Sequence, residues 1–533
     1  MRATLLPGAG GLAPPRNAPP LRLARAAVVV LAALTGCATA SEQSLDYARD
    51  YDTGASGAPS DGAFDTGDDE APPPEEEDDF LSLAPAATDA YVFIANPARD
   101  TVTRVSVPSL AALTAEVGSQ PSSVATAADY SHAVTLNEGS DDVSLVDAAT
   151  MSVANVDVRP NLNRLALSDD GAWALAWYDP DIESEDPADG VLSFNEVSLV
   201  QIATGIHTPM AVGFNPHGVK WSRDGTLAVI VSDASLALVD LTAETLTSTL
   251  VPIADDPIDA PPAEEIELSP DGAYAYVRQF GSREILVVDL AARIVDRVTV
   301  GENPTDMDLS PDGARLAVVA RGAQEIWSFD AADPWSAPDV VTLPSAYGSV
   351  LFADDGRAIL YTNATLLTTF GVWDLATGEI LERSLVKPVS SMGVSPTGGS
   401  LLVFHTFADA EGADPDSPFY RSHALTLVDL DDFRTNPLAL DAEPSSFATT
   451  DDGEWGFFVM EGEQYLEVLN FETLLYDEIP LPSVPVHLGV LPGSTTAWVS
   501  QEHSLGRISF FEPNSDAFDT ITGFELNSGI EHE

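Results

Sequence analysis

Two acidic stretches carry the densest groups of potential metal ligands in the chain. They are YDPDIESEDPADGVLSFN, residues 178–195, and HTFADAEGADPDSPFYRSH, residues 405–423. Calcium takes several oxygen ligands from flexible loops, and the carboxylates available to it are those of Asp179, Asp181, Glu183, Glu185, Asp186, Asp189, Asp409, Glu411, Asp414 and Asp416. Neither stretch has the full ligand order of an EF-hand loop with its closing glutamate. The sequence leaves open whether these are calcium sites or solvated acidic loops.

Histidine is the other side chain with catalytic potential here, as a general acid or base. The weak candidates are His217 in NPHGVKWSRDG, His487 in VPVHLGV and His532 next to the C-terminus. All three lie in segments predicted below to be the first strand of a repeat. The sequence contains no His-x-His pair and no HExxH motif, so a packed or hydrogen-bonded histidine is the competing interpretation at each position.

Cys37 is the only cysteine of the chain, and the segment before it is organised as an export signal. A basic region is followed by AAVVVLAAL, residues 26–34, an apolar run too short to span a bilayer. LTGC, residues 34–37, resembles a bacterial lipobox, which implies that residues 1–36 are a lipoprotein signal peptide and that Cys37 is acylated. The same resemblance favours the outer membrane, because Ala38 is not the aspartate typical of inner-membrane retention. The alternative is an ordinary secretory signal with a chance cysteine.

Residues 37–87 are predicted to form a disordered acidic tether. Between Ser41 and Phe80 there are 14 acids and one base, Arg49. Few apolar side chains are present to offset the entropy of ordering. A flexible chain of this length spans on the order of 40 Å, which is enough to hold a folded domain clear of a lipid surface.

The overall charge limits the classes of partner. With 84 acidic and 23 basic residues, the formal net charge is −61. Such a surface repels nucleic acid phosphates and anionic lipid headgroups. Nucleic acid is therefore excluded as a partner, and the membrane is expected to be reached only through the lipid anchor.

A repeated turn identifies the elements that must position the candidate residues. LSPDGARLAVV, which starts at Leu309, returns as LSDDGAWALAW, WSRDGTLAVIV, LSPDGAYAYV, FADDGRAILY, VSPTGGSLLVF and TTDDGEWGFFV, with degenerate copies TAADYSHAVTL, VLPGSTTAWVS and AATDAYVFIAN. A second marker is the polar residue that ends an apolar run, as in ILVVD and LTLVD. A proline 8 to 11 residues before the turn is the third marker. Together they define ten units.

Each unit is predicted to contain four short strands, A to D in chain order, and no helix. The Ser-Pro-Asp-Gly turn suits a type I turn with a left-handed glycine, so Asp312 and Gly313 are predicted to shape the chain without doing chemistry. Runs such as LAVVA, residues 316–320, are continuously apolar, which indicates that both sheet faces are covered. The fold class predicted is all-β, a β-propeller of four-stranded antiparallel blades.

Two segments, YVFIANPARDTVTRVSV and VTVGENPTDMDLSPDGARLAVV, resemble the YVTN-type propeller repeat. The resemblance covers residues 88–533 and implies the fold, but propellers serve many unrelated functions. It also implies that the B–C and D–A connections line the face used for ligands.

The ten units are predicted to close as one ring, with two smaller rings as the alternative. The first unit begins at strand B with Tyr91, and NSGIEHE, residues 527–533, is predicted to supply its missing A strand. The two acidic stretches are insertions in the B–C connections of the third and eighth units. One ring would place them opposite each other on the same rim, which makes them the leading binding candidates.

These observations favour a lipid-anchored cell-envelope protein that binds or scaffolds an envelope or extracellular protein or glycan without catalysis. No cofactor is expected, calcium apart. One alternative is a hydrolase of the propeller lactonase type with a site in the central channel. The other is a calcium-dependent surface adhesin. No phosphate loop, nucleophile elbow or cysteine pair is present.

Overall fold

The computed structural model of the chain describes residues 85–180, 194–254, 263–279, 281–353, 356–503, 505–524 and 531–532. These residues form ten antiparallel sheets that follow one another along the chain, which confirms the predicted β-propeller of ten blades. The single helical segment within the described ranges is a 3-10 turn at Pro97–Arg99. No helix in the same ranges has the length and apolar character needed to cross a bilayer.

The first five blades each contain four strands in the order A, B, C, D. Their bounds are β1 (Ala86–Ala87), β2 (Tyr91–Asn96), β3 (Thr101–Ser106) and β4 (Ala111–Glu116) in blade 1; β5 (Pro121–Thr126), β6 (His132–Asn137), β7 (Asp142–Asp147) and β8 (Val153–Asp157) in blade 2; β9 (Arg164–Leu167), β10 (Trp173–Trp177), β11 (Glu196–Gln201) and β12 (Ile206–Ala211) in blade 3; β13 (Pro216–Trp221), β14 (Leu227–Ser232), β15 (Ser235–Asp240) and β16 (Ser248–Pro252) in blade 4; and β17 (Ala263–Leu268), β18 (Tyr274–Gln279), β19 (Glu284–Asp289) and β20 (Ile294–Thr299) in blade 5.

The other five blades repeat this order, and blade 10 carries one additional strand. Their bounds are β21 (Pro304–Leu309), β22 (Arg315–Ala320), β23 (Glu325–Asp330) and β24 (Asp339–Thr342) in blade 6; β25 (Ser349–Phe352), β26 (Arg357–Tyr361), β27 (Thr369–Asp374) and β28 (Glu379–Ser384) in blade 7; β29 (Val389–Val394), β30 (Ser400–His405), β31 (His423–Asp429) and β32 (Thr435–Leu440) in blade 8; β33 (Pro444–Thr449), β34 (Trp455–Met460), β35 (Tyr465–Asn470) and β36 (Tyr476–Pro480) in blade 9; and β37 (Pro485–Val490), β38 (Ala497–Gln501), β39 (Arg507–Glu512), β40 (Ala517–Thr522) and β41 (Glu531–His532) in blade 10.

The burial of each strand follows its radial position. The B strand β22 is buried over its last five residues, whereas the D strand β20 has only exposed and half-buried residues. Continuous apolar runs fit strands covered on both faces, and the exposure of β20 fits an outer strand that is open to water. The apolar LAVVA run therefore lies where the sequence predicted.

The A–B turns have the predicted chemistry. In blade 6 the Ser310 hydroxyl donates to Asp312 Oδ1 at 2.7 Å, and the Ala314 backbone N–H donates to the same oxygen at 3.0 Å. The hydrogen bonds from the Ala314 N–H and the Ser310 hydroxyl hold the pKa of Asp312 below its ordinary value. Gly313 has φ +68°, a conformation that glycine adopts without steric cost. Asp312 is therefore a turn residue, as predicted.

Two glycines in identical SPDGA turns offer a matched test of packing between blades. Both need a left-handed backbone, with φ +68° at Gly313 and +67° at Gly272. A Cβ on Gly313 would lie 1.9 Å from Pro270 Cγ, whereas on Gly272 it would lie 3.8 Å from Ser222 Cβ. We expect Gly313→Ala to lower the free energy of unfolding by about 1–3 kcal/mol more than Gly272→Ala, because only Gly313 also forces the preceding blade to move. Equal urea midpoints for the two variants would contradict this expectation.

Ten hydrophobic clusters hold the ring together, one between each pair of neighbouring blades in the described ranges. The cluster that closes the ring packs Val92 and Val105 of blade 1 against Trp498 and Phe510 of blade 10. A single ring is therefore confirmed, and it closes by side-chain packing between its first and last blades.

The predicted role of the C-terminal strand was wrong. Blade 1 has its own A strand, β1, in which Ala86 pairs with Phe93 and Ala87 with Val92. The C-terminal β41 pairs instead with β40, at the outer edge of blade 10. The physical reason is local: only three residues separate β1 from β2, and Thr88 closes this turn by accepting the Tyr91 N–H at 3.0 Å. The A strand also begins at Ala86, two residues before the predicted domain boundary.

Candidate functional site

One end of the ring carries all the B–C and D–A connections, because antiparallel strands alternate in direction. We call this end the insertion face, and the end with the A–B and C–D turns the turn face. At the insertion face, seven A strands have a register shift directly after their first residue, as at Pro216/Gly218 and Ala263/Glu265. A β-bulge re-aims the side chain that it adds. The bulged residues of blades 4 and 5 are His217 and Glu264.

The insertion of blade 3 is anchored where it leaves β10. The Asn163 side chain donates to the Asp179 carbonyl oxygen at 2.8 Å and accepts the Asp179 N–H at 2.7 Å. Arg164 Nε lies 2.9 Å from Asp179 Oδ2. Asp179, predicted as a calcium ligand, is thus a partner of Arg164 at the entry to the A strand. The predicted ligands Asp181, Glu183, Glu185, Asp186 and Asp189 lie outside the described residues.

An aromatic stack closes the base of the same insertion. Tyr178 and Phe194, at its two ends, pack edge to face with ring centroids 5.3 Å apart. Phe194 stacks on Phe214 of the next D–A connection at 5.8 Å. Phe214 is 64% exposed, which is unusual for a phenylalanine and places an apolar surface beside the insertion.

The insertion of blade 8 is anchored by a buried ion pair. Lys387, in the D–A connection that precedes β29, is 2% exposed, and its Nζ lies 2.5 Å from Asp409 Oδ1 and 3.2 Å from the Phe407 carbonyl oxygen. The other oxygen of Asp409 accepts the Arg421 N–H at 2.9 Å. Burial raises the pKa of Asp409, but the hydrogen bonds from Lys387 and from the Arg421 backbone outweigh it, and the pKa is lowered. One carboxylate therefore ties both ends of the insertion to the blade.

The other predicted ligands of this insertion remain at its surface. Glu411, Asp414 and Asp416 are exposed, and Asp414 accepts the Asp416 N–H at 3.0 Å in a local turn. Across the parts of the chain that the structure describes, no three acidic or histidine side chains are grouped to share a metal ion. Asp409 is engaged by Lys387 and does not join the other three.

His217 has the most suggestive geometry of the three predicted histidines. Its Nδ1 donates to the Asn215 carbonyl oxygen at 3.0 Å and lies 3.6 Å from Asp233 Oδ1, which also accepts Asn215 Nδ2 at 3.0 Å. His217 Nε2 is buried and has no hydrogen-bond partner among the described residues. The Asp233 carboxylate near Nδ1–H and the unpartnered Nε2 are two parts of an acid/base arrangement. Nε2 is buried, however, and does not face solvent.

The other two predicted histidines are far from His217 along the ring. His487 lies at the start of the A strand of blade 10, where burial lowers the pKa of its half-buried ring. The prediction of an A-strand position for His532 was wrong, because this residue pairs with Ile521 of β40 at the outer edge of blade 10. The ring therefore does not bring the three histidines together.

A buried charge cluster in blade 5 was not predicted. Arg278 on β18 is 7% exposed and lies 2.6 Å from Glu264 Oε2 and 2.7 Å from Glu265 Oε2 on β17. Burial raises the pKa of both glutamates, against the lowering effect of Arg278. The sequence gives only part of the signal, the acids of AEEIEL and the arginine of YVRQ on paired strands. Adjacent residues of a regular strand point to opposite faces, and both glutamates reach Arg278 because of the register shift at Ala263/Glu265.

Comparison with known proteins supports the β-propeller fold but does not identify a family or a function. No protein-family model matches the chain, and no curated protein matches it. A solved eukaryotic initiation factor is 11% identical, with a TM-score of 0.50 over 74% of this chain and 96% of that one. The dihydro-heme d1 dehydrogenase NirN in complex with DHE is 17% identical, with a TM-score of 0.43 over 66% of this chain and 73% of that one. AztD from Citrobacter koseri is 13% identical, with a TM-score of 0.36 over 57% of this chain and 85% of that one.

Proposed function

We propose that this chain is a lipid-anchored β-propeller of the bacterial cell envelope, with YVTN-type repeats, that binds a protein or glycan partner at its insertion face without catalysis. The lipid anchor is Cys37, and the outer membrane is the expected location. The observation that carries the proposal is the anchoring of both insertions by charged or polar side chains of the same blade. They are Asn163 of the D–A connection and Arg164 of β9 in blade 3, and Lys387 of the D–A connection in blade 8.

Two exposed phenylalanines support this choice of face. Phe214 is 64% exposed beside the first insertion, and Phe407 is 52% exposed within the second, where it packs on His423. Blades 3 and 8 are opposite each other in a ring of ten, so a large partner that covers the ring would meet both. Aromatic anchors surrounded by polar residues are typical of protein interfaces and of sugar-binding surfaces.

The proposal predicts that binding depends on these two side chains. The full-length protein, used as bait for envelope extract, is expected to retain a partner that the variant with Phe214→Ser and Phe407→Ser retains at least tenfold less well. The matched control is Ile206→Ser with Leu475→Ser, whose side chains are 60% and 64% exposed near the turn face. Equal retention by both double variants, measured by quantitative mass spectrometry, would place the binding surface elsewhere.

A hydrolase with its site around His217 is the competing function, and the Asp233–His217 arrangement is the observation in its favour. Assay of the full-length protein against a series of lactones separates the two. Turnover that is lost in His217→Ala and retained in His487→Ala would overturn the non-catalytic proposal. A calcium-dependent adhesin would instead show heat on calorimetric titration with calcium and a rise in melting temperature.

A further inference from the structure

Of the C–D connections in the described ranges, the longest is that of blade 6, which carries an exposed tryptophan. It covers residues 331–338, twice the length of residues 290–293 in blade 5 and 375–378 in blade 7. Trp335 lies within it and is 48% exposed. The other tryptophans of the chain are buried or half-buried. Trp335 is therefore the tryptophan that a partner can reach, and it lies on the turn face of the ring.

The indole ring and the backbone beneath it are held in place by blade 5. Trp335 packs edge to face on Tyr274, the first residue of β18, with ring centroids 5.3 Å apart. The hydroxyl of the fully buried Tyr276 donates to the Ala331 carbonyl oxygen at the start of the connection. Pro334, next to the tryptophan, is buried. A ring that is already fixed in this way loses little freedom when a partner covers it.

Carboxylates belong to the turns around this aromatic pair. They are Asp271, Asp289, Asp330 and Asp333. Asp289 is directly opposite Tyr274 in the register of β18 and β19, where side chains of paired residues are neighbours. Asp271 and Asp330 both act electrostatically on the Tyr276 hydroxyl. We call Trp335, Tyr274 and these four carboxylates the Trp335 patch.

The arginines of the same turns are outnumbered. Arg315 is opposite Asp330 in the register of β22 and β23, but Asp339 holds its guanidinium group at 2.5 Å. Arg293, in the C–D turn of blade 5, is exposed. The Trp335 patch therefore has an excess of negative charge, and its electrostatic complement is a cation.

We propose that the Trp335 patch binds a basic protein segment, with an arginine side chain of the partner placed against the exposed part of the indole ring. Tryptophan attracts a cation more strongly than the other aromatic side chains do, and arginine is the cation most often found on such rings. The carboxylates accept the N–H groups of the same guanidinium group. The patch and the insertion face are at opposite ends of the ring, so this inference does not rest on the function proposed above.

Titration of the full-length protein with two blocked tetrapeptides, tetra-arginine and tetra-citrulline, tests the proposal. Citrulline has nearly the shape of arginine but carries no charge. Fluorine NMR of protein labelled with 5-fluorotryptophan reports where the peptide binds, and the resonance that is missing in Trp335→Phe is that of Trp335. At physiological ionic strength we expect tetra-arginine to bind about tenfold more tightly than tetra-citrulline and to shift the Trp335 resonance.

Matched variants separate the aromatic ring from the charge. Trp335→Met keeps an apolar side chain without an aromatic face and is expected to lower the affinity for tetra-arginine about fivefold. Asp333→Asn is expected to lower it about threefold, whereas Asp414→Asn removes the same charge at the insertion face and should leave it unchanged. Phe214→Ser, which weakens the surface proposed on the insertion face, should also leave it unchanged. Failure of that function and failure of this one are thus distinguishable.

Three results would overturn the proposal. The first is equal binding of tetra-arginine and tetra-citrulline, which would mean that the ring offers only apolar contact. The second is an unchanged affinity for tetra-arginine in Trp335→Met, which would mean that the peptide responds to the net charge of −61 and not to the patch. The third is a Trp335 resonance that tetra-arginine leaves in place and a neutral chitin tetrasaccharide shifts, which would make the patch a sugar-binding surface.

Discussion

Replacement of Lys387 by methionine is expected to lower the free energy of unfolding by about 3–5 kcal/mol. Methionine fills a similar volume but leaves Asp409 without its cation and the Phe407 carbonyl oxygen without its donor. Because Asp409 also holds the Arg421 N–H, the insertion of blade 8 should open as well. Urea unfolding measures the first effect, and the rate of tryptic cleavage after Arg421 measures the second.

The other lysine of the chain provides the control. Lys220 is 24% exposed and pairs with Glu267 at 3.2 Å, so Lys220→Met should cost about 1 kcal/mol or less and leave cleavage after Arg421 unchanged. Removal of both charges in Lys387→Met with Asp409→Leu should recover part of the stability, because no charge is then left unpaired although the Phe407 carbonyl oxygen and the Arg421 N–H lose their partners. If the double variant is no more stable than Lys387→Met, the loss is due to packing and the ion pair is not the anchor.

Replacement of Arg278 by methionine is expected to have an effect of similar size, about 3–5 kcal/mol at pH 8. Glu264 and Glu265 would then remain adjacent and half-buried with no cation between them. Their pKa values, already raised by burial, would rise further. A folded-state pKa above the unfolded value means that stability is lost as the pH rises through it, so the deficit should shrink between pH 8 and pH 5.

An exposed arginine provides the comparison for this prediction. Arg283 pairs with Glu302 at 2.6 Å, but the two side chains are 66% and 59% exposed, and Arg283→Met should change stability by less than about 1 kcal/mol at either pH. Arg278→Met combined with Glu264→Gln and Glu265→Gln should be more stable than Arg278→Met alone. A deficit for Arg278→Met that is equal at pH 5 and pH 8 would show that packing of the arginine, and not its charge, holds β17 to β18.

The two insertions show which features local sequence patterns predict and which they do not. Their positions in blades 3 and 8 follow from counting turns, and their acidic residues suggest calcium. In the structure, Asp179 is the partner of Arg164 at the start of β9, and Asp409 is the partner of Lys387 in the preceding D–A connection. The sequence shows which residues can ligate a cation, but a lysine 22 positions away can occupy the same carboxylate. That competition depends on which connections meet at the insertion face.

The sequence by itself determined the number of blades, the order of their strands and the role of residues such as Asp312 and Gly313. These features depend on contacts within a few residues, such as the Ser310–Asp312 hydrogen bond, and each is repeated in other blades. Because the turn motif recurs from blade to blade, the repeat can be recognised even though each single copy is a weak signal.

Only the tertiary structure decided how the ring closes and which buried charges lack partners. β1 and β41 are both strands of two residues near an end of the propeller, and their places depend on which sheet edge each one reaches. Glu467 on β35 is a glutamate in a C strand, and only the structure shows that it is 3% exposed and that its Oε2 has no hydrogen-bond partner among the described residues. The physical reason is that an interface between two blades joins residues about 40 positions apart. The spacing of residues within one blade therefore does not predict which side chains of the next blade will contact it.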